Sequence, residues 1–457
     1  MHPGFRSLVR AIAASAARWL LLPLTLLPAS MSAVALTTLP DQTETGVSGT
    51  YSTDGDYNFI DGVKGVGRIG WLLGAYQVVS AGASNQSQSG GTVTLGVTGG
   101  RYTVFFPVTN PQNVGPLSNG GPGTPWASGL LAASKGSDGL FWGSEGAGYE
   151  RDGGNGGAVN LTVSPANPLQ PVEILLDTTT LPAVTGLLTL NGVLALSQGG
   201  HNSSRYDFGL FTGRDYYYST PGNGGAVAVD FTGNIRAQGG YASSAGPLVV
   251  SEVGIAAVSR GAALVCYQEN CKDNYKAGFN FEKPGTGGAV NVTLGGGSQI
   301  LLQQGSAIGI YALSANGGIP TTNTTLGYNV NTSGLVAGPV TVNIRQGATI
   351  RVGTAEALAS AGVLAISAGS ELRSTLFDSP GPIDNAGGEG VGSTVTVSHA
   401  GDIDAEGILA LGIGALSLGG EAAVGVLGVT PGEYLESKKS PDNPGTLGLV
   451  TVSNEGT

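Results

Sequence analysis

The hexapeptide "GGAVNV", Gly287 to Val292, places a glycine pair before a stretch in which apolar residues alternate with small or polar ones. Alternation with a period of two is typical of a β-strand that is buried on one face, and glycine supplies the backbone angles of a tight turn. The hexapeptide therefore predicts a sharp corner followed by a short strand.

Variants of this hexapeptide, which we call the first motif, recur along the chain. They include "GGTVTL" (Gly90 to Leu95), "GGAVNL" (Gly156 to Leu161) and "GGAVAV" (Gly224 to Val229), with looser copies toward the C-terminus. The first valines of the copies are Val93, Val159, Val227, Val290, Val340, Val395 and Val450, so that successive copies lie 50 to 68 residues apart. Such regular recurrence indicates an array of structural repeats.

A second motif lies between the copies of the first. It is a glycine-led apolar hexapeptide such as "GIYALS", Gly309 to Ser314, and it keeps the phase of the first motif. Its six copies begin at Gly129, Gly192, Gly254, Gly309, Gly362 and Gly407. Both motifs predict strands of about five residues between tight turns, and helical periodicity is nearly absent.

Three all-β architectures are compatible with such a unit: a propeller blade, an immunoglobulin-like sandwich domain, or two to three turns of a solenoid. A sandwich requires one closed core per roughly 100 residues, and a blade requires four antiparallel strands. Unit lengths that vary while both motifs persist favour a solenoid, because insertions protrude sideways from stacked coils. We therefore predict an all-β, parallel β-solenoid with protruding loops and with the motif valines and leucines stacked inside.

The composition agrees with a large ordered β-protein. The 457 residues include 79 glycines, 41% are hydrophobic and only 11% are charged, and the net charge is −11. This apolar content is too high for a disordered chain. Because an acidic chain with few basic residues lacks the positive stripe that tracks phosphates, we predict no nucleic-acid partner.

The N-terminus carries the features of a secretory signal. Three arginines precede the apolar run "WLLLPLTLLP", Trp19 to Pro28, and the small residues "AVA" follow at Ala33 to Ala35. A membrane anchor is the alternative, but the run is short for a span and contains two prolines. We predict a signal peptide at residues 1–35, an N-terminal capping segment at 36–75, and an array of about seven units at 76–457.

The segments that join each second motif to the next first motif differ in composition from the motifs, and they hold most of the aromatic residues that follow the signal peptide. They run from Lys135 to Asn155, Gln198 to Asn223, Arg260 to Thr286, Ala315 to Ala337, Ala368 to Val391 and Ile413 to Leu447. Because these segments share one phase, a solenoid projects them on one side. We predict a ligand-binding surface there, with the candidates Trp142, Tyr206, Tyr216, Tyr217, Tyr218 and Tyr267. The alternative is that each aromatic ring caps the interior of its own coil.

One of these segments contains "CYQENC", in which Cys266 and Cys271 are the only cysteines of the chain. Two such close cysteines in an exported protein predict a disulfide that closes one small loop, and two inert thiols are the alternative. Four intervening residues without further ligands are not a metal-binding signature.

The best local candidate for carboxylate chemistry is "GDIDAEG", where Asp402, Asp404 and Glu406 alternate and so share one strand face. Carboxylate catalysis requires a partner carboxylate or arginine from a neighbouring coil, and the alternative is an ordinary solvated outer face. The chain has no nucleophilic serine signature and no repeated calcium nonapeptide. We therefore predict no catalytic residue, no metal and no cofactor.

Repeats such as "VAVDFTGNIRAQGG" (Val227 to Gly240) and "VTVSHAGDIDAEGILALGIGALSLGG" (Val395 to Gly420), behind a signal peptide in an acidic chain, resemble the passenger domains of type V autotransporters. The resemblance implies a right-handed parallel β-helix on the bacterial cell surface, at the outer membrane or released outside the cell. It also implies a C-terminal membrane β-barrel, and because no such region follows we expect the array to be cut off at its C-terminus and any barrel to be missing or separate.

The resulting functional hypothesis is a rigid display scaffold or adhesin that binds a host or matrix surface, a polysaccharide or a second copy of itself through loops on one side. The alternative is a secreted carbohydrate-active β-helix enzyme, a polysaccharide lyase or hydrolase.

Overall fold

The structure of the protein, a computed structural model, describes residues 42–45, 49–53, 57–59, 72–82, 87–105, 126–138, 152–177, 186–201, 205–209, 213–217, 220–239, 248–262, 284–317, 335–369, 390–419 and 448–457. These residues belong to one compact unit, Thr37–Thr457. The predicted signal peptide lies outside the described residues.

Twenty-three strands form three parallel sheets. Within each sheet, a strand pairs with the equivalent strand of the next coil. Sheet I contains β2 (Gly49–Thr53), β5 (Val93–Val97), β8 (Val159–Val163), β13 (Val227–Phe231), β16 (Val290–Leu294), β19 (Val340–Ile344), β22 (Val395–His399) and β25 (Val450–Asn454). Sheet II contains β3 (Tyr57–Phe59), β6 (Arg101–Phe105), β9 (Glu173–Asp177), β14 (Asn234–Gln238), β17 (Gln299–Leu302), β20 (Thr349–Gly353) and β23 (Asp402–Glu406). Sheet III contains β1 (Gln42–Thr45), β4 (Leu72–Ala81), β7 (Trp126–Lys135), β10 (Gly186–Gln198), β15 (Leu248–Arg260), β18 (Ser306–Ala315), β21 (Ala359–Ala368) and β24 (Leu409–Leu418).

A coil consists of one strand from each sheet in the order I, II, III, after which the chain enters the next coil. This arrangement confirms the all-β parallel solenoid. Each repeat unit nevertheless forms a single coil, and the expectation of two to three turns per unit was wrong. The three strands of a coil use fewer than half of the residues in a unit, and the segments between strands take up the rest.

The first motif supplies the strands of sheet I. Val93, Val159, Val227, Val290, Val340, Val395 and Val450 are paired in one continuous register and begin their strands. In β16 the side chains of Val290, Val292 and Leu294 are buried, whereas Asn291 is exposed. The predicted interior stacking of the first motif is confirmed from β5 to β22, but in β25, at the end of sheet I, Val450 and Val452 are 40% and 48% exposed.

The second motif supplies sheet III, and its leading glycine lets sheet II approach. A Cβ atom on Gly192 would lie 2.6 Å from Cγ2 of Ile235 in sheet II and 2.6 Å from the carbonyl oxygen of Gly254 in the next coil. Contacts this short do not occur at real Cβ atoms, so any larger residue would push the two sheets apart. The same packing recurs at Gly129, Gly254, Gly309 and Gly362, whereas a Cβ atom on Gly412 in the last coil would meet nothing within 4 Å.

The pairing of β24 corrects the position of the last second motif. Ile413 and Ser417 pair with Val363 and Ser367, which makes "GIGALS", residues 412–417, the equivalent of "GVLAIS" in the previous coil. The copy predicted to begin at Gly407 was therefore placed five residues too early. The segment that follows it begins after Leu418 and not at Ile413.

Sheet III is apolar on both faces. Ile310 and Ala312 pack in the interior shared with sheets I and II, whereas Tyr311 and Leu313 belong to a second hydrophobic cluster on the opposite face. Residues of both clusters are almost fully buried from β7 to β21. Burial on both faces explains why the second motif is a nearly continuous apolar run, while the first motif alternates.

A hairpin interrupts the parallel pattern. Strands β11 (Arg205–Gly209) and β12 (Gly213–Tyr217) pair antiparallel within one of the aromatic segments. Strands β1, β2 and β3, which lie in the segment predicted as an N-terminal cap, are the outermost strands of the three sheets.

Leu313 tests whether the outer face of sheet III belongs to the core. The substitution Leu313→Asp places a carboxylate where no side-chain surface is exposed, and we expect the free energy of unfolding to fall by at least about 3 kcal/mol. The matched control Thr293→Asp, on the half-buried outer face of sheet I, is expected to change it by less than about 1 kcal/mol. Urea unfolding followed by circular dichroism measures both, and equal effects of the two substitutions would contradict the burial of this face.

Candidate functional site at the corner between sheets III and I

The aromatic segments leave the solenoid at one corner. The strands that precede them end in register at Lys135, Gln198, Arg260 and Ala315, and β21 ends beside Ala315 at Ala368. The chain then returns to the aligned first motifs of sheet I. We call this position the III–I corner. The aligned strand ends agree with the prediction that the segments occupy the same position in every repeat.

Backbone hydrogen bonds close the base of three segments. The N–H of Gly154 donates to the carbonyl of Ser137 at 2.8 Å, so the ends of the first segment are joined directly. Gly222 donates in the same way to Gly200 at 2.9 Å, and Gly285 donates to Ala262 at 3.0 Å. Each of these segments is closed at its base, because its two ends share one hydrogen bond.

The closed bases are also joined to one another. Gly200 donates its N–H to the carbonyl of Gly154, Ala262 donates to Gly222, and Gly317 donates to Gly285, with N–O distances of 2.8 to 2.9 Å. Outgoing and returning chains therefore alternate in one zigzag ladder of backbone hydrogen bonds, which we call the neck. The neck holds the roots of the loops at the spacing of the coils.

A serine at the end of the second motif ties successive coils together beside the neck in several copies. The hydroxyl of Ser259 donates to the carbonyl of Gly225 at 2.7 Å and accepts the N–H of Gly288 at 2.7 Å. Ser197 and Ser134 make the same pair of bonds one and two coils earlier, respectively. Each of these three hydroxyls satisfies a backbone acceptor and a backbone donor from two successive glycine pairs, whereas the equivalent hydroxyl of Ser314 is buried and has no hydrogen-bond partner among the described residues.

This packing explains the glycine pair of the first motif. A Cβ atom on Gly287 would lie 2.7 Å from the Ser314 hydroxyl, and one on Gly288 would lie 2.6 Å from the backbone of Gly225. The corner therefore has no room for a side chain at either position, because the backbones of successive coils touch there.

Side chains outside the glycine pairs extend the same ladder. Oδ1 of Asn155 accepts the N–H of Asn223 at 2.8 Å, and Oδ1 of Asn223 accepts the N–H of Thr286 at 2.7 Å. These three residues each precede a glycine pair. They cap backbone donors at the points where the loops re-enter the coils.

A charged cluster lies where the first two loops begin. Nζ of Lys135 lies 2.9 Å from Oδ2 of Asp138, and the backbone N–H of His201 donates to Oδ1 at 3.0 Å. Burial by itself raises the pKa of Asp138. The opposing effects are larger: they are the charge and hydrogen bond of Lys135, the hydrogen bond from the N–H of His201 and the charge of His201. The pKa of Asp138 therefore lies below its usual value. The carboxylate thereby links the roots of two loops.

The structure brings two of the predicted ligand-binding residues together. Tyr206 and Tyr216 are directly opposite in the β11–β12 hairpin, and Tyr217 is opposite Arg205. Trp142, Tyr218, Tyr267 and the cysteine pair Cys266 and Cys271 lie outside the described residues, so the binding surface and the disulfide stay predictions.

The carboxylates of "GDIDAEG" lie on the outer face of β23. Asp402, Asp404 and Glu406 are exposed, and Asp404 is opposite Arg351 in the register of sheet II. Asp402 accepts a hydrogen bond from the hydroxyl of Thr457. Among the described residues, no group of three His, Cys, Asp or Glu side chains has the arrangement that would hold a metal ion.

A polar groove of about 560 Å³ lies at a different corner, between sheets I and II. Its lining includes Thr98, Arg101, Asn167, Gln170 and Glu173. Nη2 and Nε of Arg101 donate to Oε2 of Glu173 at 2.7 and 3.1 Å, so the charged groups of the groove are paired with each other. The amides of Asn167 and Gln170 are the uncharged polar groups at its edge.

Comparison with known proteins gives this chain no relative. It matches no protein-family model, no curated protein and no solved structure. Within the described ranges, no helix has the length and apolar character needed to cross a membrane. Function is therefore argued from the geometry of the corner and of the sheet faces.

The inter-coil serine was present in the sequence but its role was not predicted. Five of the six predicted copies of the second motif end in serine, and the prediction for these copies was an apolar strand alone. Its persistence among apolar neighbours was the available signal, because a buried hydroxyl needs partners.

Ser259 tests this inter-coil contact. The substitution Ser259→Ala leaves the carbonyl of Gly225 and the N–H of Gly288 without this partner, and we expect a loss of about 1 to 3 kcal/mol in the free energy of unfolding. Ser164→Ala, which removes an exposed hydroxyl at the corner between sheets I and II, is the control and is expected to change it by less than about 0.5 kcal/mol. Urea denaturation of both variants provides the comparison, and an unchanged midpoint for Ser259→Ala would contradict the role of the hydroxyl.

The pH dependence of stability in an Asp138 variant tests the cluster that Asp138 forms with Lys135 and His201. Because the folded state lowers the pKa of Asp138, its stabilising effect is present above the unfolded pKa of about 3.8 and is lost as the pH falls through the lower folded value. We expect Asp138→Asn to be less stable than the wild type at neutral pH, and the difference to shrink below about pH 4. Thermal unfolding across this range measures it, and a difference that stays constant down to about pH 2 would contradict the assignment.

Proposed function

We propose that this protein is an exported bacterial surface protein of the passenger-domain type, which displays loops on one side of a β-solenoid and acts as an adhesin. The observation that carries the proposal is the neck, where Ser137 with Gly154, Gly200 with Gly222, and Ala262 with Gly285 close successive loops. A stack of closed loops on one corner is suited to presenting side chains to a large partner surface.

The expected mechanism of binding is multivalent. Roots that are hydrogen-bonded to one another keep the loops at a constant separation, so several weak contacts act together through their effective concentration. The aromatic residues of the loops suit this role, because tyrosine and tryptophan contribute large contact areas at low entropic cost. The partner is a host or matrix surface, a polysaccharide or a second copy of the protein.

The hairpin carries tyrosines of the proposed surface. Tyr206 and Tyr216 are opposite each other in the register of β11 and β12, and Tyr217 follows in β12. The hairpin belongs to the segment that Gly200 and Gly222 close and to none of the three parallel sheets, which supports its assignment to a displayed loop.

The carboxylates that a carbohydrate-active enzyme would use lie on an exposed strand face. Asp402, Asp404 and Glu406 are all exposed in β23. None of them lines the groove at the corner between sheets I and II, and in register Asp404 is opposite Arg351.

A tyrosine variant tests the adhesin. In Tyr216→Ser, Tyr217→Ser, Tyr218→Ser, we expect at least about a tenfold loss of adherence by cells that display the protein, because aromatic residues dominate binding energy in most interfaces. Protease resistance of the purified variant is expected to stay at the wild-type level, since the hairpin lies outside the three sheets.

Leu169→Ser is the matched control for adherence. Leu169 is an apolar side chain that is 88% exposed at the corner between sheets I and II, so its loss removes surface hydrophobicity without touching the loops of the III–I corner. Full adherence of the tyrosine variant would overturn the proposed binding surface, and loss of its protease resistance would show that the rings cap the interior instead.

A further inference from the structure

The outer faces of the three sheets differ in what they offer to a partner. The outer face of sheet III is buried, as the cluster around Tyr311 and Leu313 shows. The outer face of sheet II is charged: Glu173 contacts both Arg101 and Arg236, and Asp402, Asp404 and Glu406 are exposed in β23. The outer face of sheet I is exposed or half-buried from β5 to β22 and is almost free of charge.

Outward residues of sheet I form two straight columns. The first column contains Thr94, Asn160, Ala228, Asn291, Thr341 and Thr396, and the second contains Gly96, Thr162, Asp230, Thr293, Asn343 and Ser398. Successive members of a column are separated by about 4.7 to 4.9 Å, and the two columns by about 7 Å along the strand. Asp230 is the only charged residue in either column.

The polar side chains of these columns are unused by the protein. No hydrogen bond or ion pair in the described part of the chain engages the side chains of Asn160, Thr162, Asn291, Thr341 or Asn343. Elsewhere the same residue types are employed, as at Asn155, whose amide caps a backbone donor. Hydroxyl and amide groups both donate and accept, so the columns form a regular array of uncharged donors and acceptors facing water.

We propose that the outer face of sheet I is a binding surface for an uncharged, hydroxyl-rich polysaccharide. Sugar hydroxyls donate and accept hydrogen bonds as threonine and asparagine do, and pairing neutral groups avoids the cost of desolvating a charge. An anionic polymer would find no cation in these columns, and a cationic polymer would find only the single carboxylate of Asp230. A partner that spans several coils engages many side chains at once, so individually weak bonds add up.

The composition of the columns favours a flexible polymer over a rigid crystalline lattice such as ice. Gly96 and Ala228 interrupt the columns, and threonine, serine, asparagine and aspartate occur in irregular order, so the side chains do not end in one plane of identical groups. A hydrated chain adjusts to such differences, whereas a lattice does not. This surface is separate from the III–I corner, so it acts whether or not the loops bind a partner.

The test is retention of the purified full-length protein on beads of cross-linked dextran and on immobilised pullulan, both uncharged and flexible polysaccharides. The variant Asn291→Ala, Thr341→Val, Thr396→Val removes three neighbouring polar groups of the first column and keeps β-favouring residues in β19 and β22. We expect wild-type protein to be retained by at least one polymer, and its apparent affinity to fall roughly tenfold or more in the variant, because three hydrogen bonds are lost.

A matched variant on the outer face of sheet II separates this surface from general effects. Thr103→Val, Gln299→Ala, Thr349→Val changes the same residue chemistry on exposed or half-buried positions, and it is expected to be retained like the wild type. Unfolding midpoints of both variants establish that the fold is intact. The tyrosine variant of the III–I corner is expected to be retained as well, which distinguishes this proposal from the adhesive loops.

Four outcomes would overturn the proposal. They are retention of the sheet I variant equal to the wild type, equal loss in the sheet II variant, binding of the wild type to neither polymer, and thermal hysteresis of ice growth in place of polymer binding. Loss of retention in the tyrosine variant alone would assign the polysaccharide to the loops instead.

Discussion

Register between successive coils is the constraint on which the rest of this structure depends. Side chains alternate along a strand, so a slip of one residue in β16 would turn Val290 and Val292 to the solvent and bring Asn291 into the interior. Parallel backbone ladders are evenly spaced and offer little resistance to such a slip by themselves. The corner supplies the resistance, because the hydroxyl of Ser259 accepts one particular N–H, that of Gly288.

The same constraint separates the parts of the chain that must repeat from the parts that vary. A loop closed at its root by the bond between Gly222 and Gly200 transmits no change of length to the strands on either side. Lengthening a loop also costs little entropy once its ends are joined. Units of 50 to 68 residues therefore stack with the same three strands, and the variable residues are left for the partner-binding role that we propose.

Residues that point outward from the sheets are not subject to the register constraint, because their side chains do not pack in the interior. Packing decides what lies at Val290 and Val292, but it leaves Asn291 open to any residue that suits a strand. One backbone architecture can therefore carry a buried apolar face on sheet III, a charged face on sheet II and a nearly uncharged hydrogen-bonding face on sheet I. The outer faces of sheets I and II are the ones open to partners, since the outer face of sheet III is buried.

The sequence by itself determined the β-solenoid, the strands of sheet I and the corner from which the loops leave. Two alternating motifs in one phase carry that information, since each buried valine must recur once per coil. Sheet II was not evident, because a strand such as "NIRAQ", Asn234–Gln238, has a polar majority and relies on Ile235 for its interior contact. The number of coils in a unit was missed for the same reason.

Only the tertiary structure decided the register of the last second motif and the partners of the serine. "GILALG" and "GIGALS" both look like the motif, and the choice depends on Ser417 lying opposite Ser367. Ser259 meets partners 34 residues before it and 29 residues after it, in two different coils. Groups so far apart meet because the loops between them return to the neck, and that return is a property of the stacked backbones and not of any local pattern.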